Sequence, residues 1–143
     1  MLSQSGQFVA RMDRFTDIRS FVEAFCLLAQ ATRLTSLRMT LIVEELFTNS
    51  VQHGYGGDGD NPIWLGISYR NGEMEITYED AAPPYDPFQG PPKPFVSSDG
   101  NSARLGGWGL GLVKGLGNRV SYTRADDRNR ICLTLSFPDG DVA

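Results

Sequence analysis

Apolar residues recur along this chain with two different periods, and the change from one to the other marks out its elements. Phe15, Ile18, Phe21, Val22, Phe25, Leu28 and Ala29 return every three or four positions, which predicts an amphipathic helix with one apolar stripe. Asp13 stands where its N-cap is expected. A second helical pattern runs from about Thr35 or Ser36 to Gly54, with Met39, Val43, Leu46, Phe47 and Ser50 on its stripe. Gly54, followed by Gly56 and Gly57, stops it.

The period then falls to two. Ile63, Leu65, Ile67 and Tyr69 alternate with Trp64, Gly66, Ser68 and Arg70, and Met74, Ile76 and Tyr78 alternate with Glu73, Glu75, Thr77 and Glu79. Asn71-Gly72 between them is the signature of a two-residue type I′ turn. Such a turn pairs Tyr69 with Met74, Ile67 with Ile76 and Leu65 with Tyr78, so the aliphatic positions share one face. Arg70 meets Glu73 on the other, solvated face. A second hairpin is expected from Arg119–Ala125 and Asn129–Phe137 around Asp126-Asp127-Arg128, with Ile131, Leu133, Leu135 and Phe137 turned inward. A short helix at about 108–116 precedes it, and an edge strand is expected near 8–12. Helices covering one face of a mostly antiparallel sheet make an α+β, two-layer α/β sandwich.

Length and composition change this picture little. The 143 residues are the size of one domain, and 41% hydrophobic against 21% charged is ordinary for a chain that buries a core. The net charge of −4 argues against a protein whose main task is gripping nucleic acid, since a phosphate backbone demands a basic surface. There is no Gly-Lys-Ser/Thr, so a P-loop is absent. Cys26 and Cys132 lie far apart in apolar patterns and read as buried thiols of a reducing compartment. No basic, apolar leader and no membrane-length apolar run is visible, so a cytoplasmic location is expected. His53, the one histidine, is read as structural.

The stretch 81–107 follows neither period and holds six of the eight prolines. Loops of this length in a compact domain are functional or disordered; the functional reading is a lid. Three features near it carry candidate chemistry. Glu45 and Asn49 lie one turn apart on the second helix, about 40° apart around its axis, beside the apolar stripe. They form either a solvated polar face or a carboxylate–amide pair able to share a metal ion. Asp80 continues the parity of Met74, Ile76 and Tyr78 onto the apolar face, where a carboxylate requires a hydrogen-bond partner. It is either the start of a turn or a buried acceptor for a ligand N–H. Gly106-Gly107-Trp108-Gly109-Leu110-Gly111-Leu112 opens a helix, a setting in which backbone N–H groups and the helix dipole favour an anion. This run does not form the dinucleotide pattern Gly-x-Gly-x-x-Gly, because Leu112 and Lys114 stand where its last glycine is required, and no βαβ unit surrounds it, so a Rossmann reading of it fails.

In this order the features resemble the histidine-kinase-like ATPase (Bergerat fold) superfamily, and within it the stand-alone anti-sigma-factor serine kinases of bacteria. Glu45-Leu-Phe-Thr-Asn49-Ser-Val-Gln-His53-Gly54-Tyr55 is similar to the family's N-box. Asp80-Ala81-Ala82-Pro83-Pro84-Tyr85-Asp86-Pro87 is similar to its adenine box, and Gly107-Trp-Gly109-Leu-Gly111-Leu to its glycine box. The likeness spans about 7–137.

The resemblance implies ATP or ADP as nucleotide, with Mg2+ held by Asn49 and Glu45 as base or orienting carboxylate for the attacking hydroxyl. Asp80 would accept from the adenine amino group beside Ala82, and the Gly107, Gly109 and Gly111 backbone would cradle phosphates, with Arg104 touching the β- or γ-phosphate. It implies a kinase that phosphorylates a STAS-type anti-anti-sigma protein on Ser or Thr, binds a sigma factor or another output protein, and forms a homodimer. Neither direct nucleic-acid nor membrane contact is implied. The length leaves no room for the phosphotransfer helix of a complete sensor kinase. Two positions depart from the pattern: Ala82 stands where the family has glycine, and Asn129-Arg130 replaces the usual Gly-Thr. Ala82 is the feature behind a second reading, a catalytically inactive, nucleotide-responsive adaptor that sequesters partners. A third is an ATP hydrolase without a protein substrate.

Overall fold

Asn71 and Gly72 both take the left-handed backbone, at φ 50° and 79°, which matches the right-handed twist of the strands they join. The computed structural model describes residues 1–87 and 119–136. In it β2 (Pro62–Arg70) and β3 (Glu73–Asp80) pair as the turn dictates, with Tyr69 opposite Met74, Ile67 opposite Ile76 and Leu65 opposite Tyr78. With β1 (Leu2–Val9), β4 (Val120–Ala125) and β5 (Arg128–Ser136) they form a five-stranded sheet in the order β1-β2-β3-β5-β4. Every pairing among these strands is antiparallel.

Two helices lie on one face of the sheet. In α1 (Phe15–Leu28) the buried residues are Phe15, Ile18, Val22, Phe25 and Cys26; in α2 (Arg33–Asn49) they include Met39, Ile42, Val43, Leu46 and Phe47. Phe15 and Phe47 meet with ring centroids 5.5 Å apart. These side chains close over Ile63, Leu65, Ile67, Met74, Ile76, Ile131, Leu133 and Leu135 of the sheet, in one continuous apolar core.

Several boundaries differ from the sequence reading. Asp13 is taken up by a 3-10 turn (Met12–Arg14), so α1 starts at Phe15 with no side-chain cap. Leu28 is exposed: it sits one residue, about 100°, from Ala29, which keeps the core position. The second helix begins earlier than its apolar stripe suggests, because Thr32 caps it by accepting from the Thr35 N–H at 3.1 Å. The edge strand runs over Leu2–Val9 rather than 8–12. Its Ser, Gln and Gly residues show no alternation, because backbone pairing with β2 and not burial defines it. The last turn is Asp126-Asp127, both left-handed at φ 56° and 60°, and Arg128 pairs with Ala125 inside the strand. Cys132 is only half-buried. The predicted helix at 108–116, Arg104, Gly107, Gly109, Gly111, Phe137 and the lid stretch beyond Pro87 lie outside the described residues.

A candidate nucleotide cleft at the sheet's end

Asp80 closes β3 at the position where alternation puts it on the covered face, opposite Ile63 on one side and Asn129 on the other. It is buried, at 7% exposure, and both oxygens have partners. Oδ2 accepts from the Ser50 hydroxyl at 2.6 Å; Oδ1 accepts from Asn129 Nδ2 at 2.8 Å and from the Ala82 N–H at 3.2 Å. Ser50 in turn accepts from the Tyr78 hydroxyl at 2.7 Å. Burial raises the Tyr78 pKa well above its usual range, so this hydroxyl stays protonated, and the chain from Tyr78 through Ser50 to Asp80 has a fixed direction. A carboxylate oxygen has two lone pairs. Of the Asp80 oxygens, Oδ2 has a single donor among the described residues, so it can accept one more N–H from the cleft.

Asn49 and Ser50 reach the same cleft because α2 does not stop at Asn49. A π-helical turn over Ser50–Gly54 prolongs it, and such wide turns often occur at functional positions. Leu46, Asn49, Ser50, Gly54, Tyr78, Asp80, Tyr85, Pro87, Asn129 and Ile131 line the cleft. Its enclosed part is about 20 Å³, close to the room one water needs. Tyr85, 51% exposed, and Pro87 border it on the outside. Gly54 is required here: a Cβ on it would stand 2.9 Å from the Ala82 Cβ. Ala82 is buried with negative φ. Its methyl therefore faces Gly54, and alanine is accommodated without backbone strain. The Tyr55 hydroxyl accepts from the Ala81 N–H at 2.6 Å and donates to the Pro62 carbonyl at 2.7 Å, fixing where the chain leaves β3.

Glu45 lies one turn before Asn49 on α2 and is buried, at 7% exposure. Its Oε2 has no hydrogen-bond partner among the described residues. Burial, with the nearby Glu44 charge, raises its pKa from 4.5 to about 7. A buried carboxylate left half unpaired is costly to a fold, and a pKa near neutrality is what a general base needs. The Asn49 amide is half-buried and makes no hydrogen bond to any described residue. Its carboxamide oxygen is a hard donor of the kind Mg2+ takes beside phosphate oxygens and water. Among the described residues no three His, Cys, Asp or Glu side chains converge on a metal position, and His53 is exposed on the π turn.

The structure thus brings Asn49 and Asp80 to one cleft, with Glu45 one helical turn away; Ala82 does not line it and is joined to it by its N–H bond to Asp80. Ser50 and Asn129 belong to the same arrangement and were not singled out as site residues in the sequence. Asn129 carried a signal nonetheless: it has the parity of Ile131, Leu133 and Leu135, which places a polar side chain on the buried face.

Residues 8–135 match the family model described as "Histidine kinase-like ATPase domain". Over 119 residues the chain is 28% identical to serine/threonine-protein kinase BtrW of Bordetella bronchiseptica, covering 83% of each. Its fold superposes on the blue-light activated histidine kinase of Erythrobacter litoralis EL346 with TM-score 0.54 and 22% identity, over 79% of this chain. It spans only 34% of that kinase. The histidine kinase AdeS of Acinetobacter baumannii superposes with TM-score 0.52 and 13% identity, over 96% of this chain and 69% of AdeS.

Proposed function

The chain belongs to the histidine kinase-like ATPase domain family, and from that premise we propose that it is an ATP-dependent protein serine/threonine kinase of the anti-sigma type. The observation that carries the reading is Glu45, a buried carboxyl with an orphaned oxygen and a pKa near 7, one turn from the amide of Asn49. The similarity to a serine/threonine-protein kinase supports the same choice.

In this reading Asp80 Oδ2 accepts a hydrogen bond from the adenine amino group, and Tyr78 and Ser50 hold that oxygen in place. Bound Mg2+, with Asn49 among its ligands, would offset the phosphate charge. Glu45 accepts the proton of a Ser or Thr hydroxyl on the partner as its oxygen bonds to the γ-phosphorus. The bond from that phosphorus to the β–γ bridging oxygen breaks, and ADP is the leaving group. Positioning and charge neutralisation are the main demands of such a transfer. Gly107, Gly109, Gly111 and Arg104 are the further phosphate contacts proposed. The substrate is a STAS-type anti-anti-sigma protein, the output a sigma factor or similar regulator, and the working form a homodimer.

Incubation with Mg-ATP and the cognate STAS partner tests this. The expected result is phosphate on a partner Ser or Thr, lost in Glu45→Ala. A partner that binds but is never labelled overturns the kinase. An adaptor acting by sequestration alone would keep its full output in Glu45→Ala.

A further inference from the structure

Asn129 uses its whole side-chain amide. The two Nδ2 hydrogens are shared among three acceptors, Asp80 Oδ1 at 2.8 Å, the Pro83 carbonyl at 3.0 Å and the Ala82 carbonyl at 3.2 Å. Oδ1 accepts from the Tyr85 N–H at 3.1 Å and from the Tyr122 hydroxyl. The reversed amide would set its oxygen against three oxygens and its NH2 against the Tyr85 N–H donor, so the orientation is determined by the partners. The residue is 6% exposed. Arg124 adds a second donor to the Ala82 carbonyl, at 2.7 Å, from the exposed side. Among the described residues the backbone of 82–85 pairs with no strand; the β4–β5 hairpin meets its Ala82 and Pro83 carbonyls and its Tyr85 N–H, and Asp80 takes the Ala82 N–H.

We infer that Asn129 is a positioning residue that sets base selectivity. It locks the Asp80 carboxylate so that Oδ2 alone faces the cleft, and it pins the 82–85 backbone from which Tyr85 and Pro87 wall that cleft. The two tasks share one side chain, so loosening the wall loosens the acceptor. The inference rests on the nucleotide reading above, and it adds a determinant on β5 that lies 49 residues from Asp80 in sequence.

Calorimetric titration with ATP and with GTP, beside hydrogen exchange at Ala82 and Tyr85, tests it in the full chain. Hydrogen bonds to a charged group are the ones at stake in Asn129→Ala, so ATP affinity is expected to fall roughly tenfold or more. The preference for ATP over GTP should shrink, and the Tyr85 amide should exchange faster without nucleotide. Arg124→Ala, an exposed change that spares the core, should show a smaller loss of affinity together with faster exchange in 82–85. Loss of affinity for both nucleotides in equal proportion, or tighter ATP binding in either variant, overturns the inference. So does faster exchange in Arg124→Ala with unchanged affinity. A wild-type chain that takes up neither nucleotide overturns the proposed function itself, and the base-reading role with it.

Discussion

Glu45→Gln should cost the protein its phosphotransfer and make it more stable at alkaline pH. The native carboxyl titrates at about 7 against an ordinary 4.5, chiefly because it is buried. A group whose folded pKa is raised binds more protons in the fold than in the unfolded chain between those two values. Its contribution is therefore favourable below pH 4.5, declines as pH rises to about 7, and is constant above that. At 1.36 kcal/mol per unit, the shift sets a ceiling of about 3 kcal/mol. Solvent reaching the carboxylate lowers it, so about 1–3 kcal/mol is the expected gain on replacing it with an uncharged isostere. For a domain of this size that is roughly 3–12 °C in Tm. Urea unfolding of both proteins from pH 4 to 8.5, followed by circular dichroism, reads the difference directly. The curves should coincide near pH 4 and separate across the window, with the variant above. Parallel pH profiles would show that Glu45 is not held as a strained, near-neutral base, and the mechanism would lose its proton acceptor.

Three further changes follow from the same contacts. Ser50→Ala removes both the acceptor of the buried Tyr78 hydroxyl and a donor to Asp80, and should cost about 2–4 kcal/mol in urea unfolding together with nucleotide affinity. Gly54→Ala drives a methyl to 2.9 Å from Ala82; displacement of the backbone beyond Asp80 should weaken ATP binding in calorimetry while far-UV dichroism stays native. Gly72→Ala puts a side chain at φ 79° in the hairpin turn and should destabilise the fold by about 1–2 kcal/mol without altering ATP affinity, since it lies at the far end of β3.

The β2–β3 hairpin was legible to the residue because one two-residue turn and strict alternation leave a single register that buries every aliphatic side chain. The buried position of Asp80 followed from the same parity. Local pattern failed where non-local contacts decide. β1 is built by pairing with β2 and carries no apolar rhythm. Asp13 lost its cap position to a 3-10 turn that periodicity does not reveal. In the site, spacing alone set Glu45 beside Asn49 but said nothing of the π turn that carries Ser50 under Asp80. The role of Asn129 was hidden for a different reason: its partners in 80–85 are more than forty residues away, and only the strand order brings β5 beside β3.

The central claim is that the cleft between α2 and the end of β3 binds ATP through Asp80. Calorimetric titration with ATP and ADP, with and without Mg2+, on the wild type, Asp80→Asn and Asn49→Ala measures it most directly. The account predicts saturable one-to-one binding that Asp80→Asn abolishes and whose Mg2+ dependence Asn49→Ala removes. No uptake at millimolar nucleotide, or binding that survives Asp80→Asn unchanged, would contradict it.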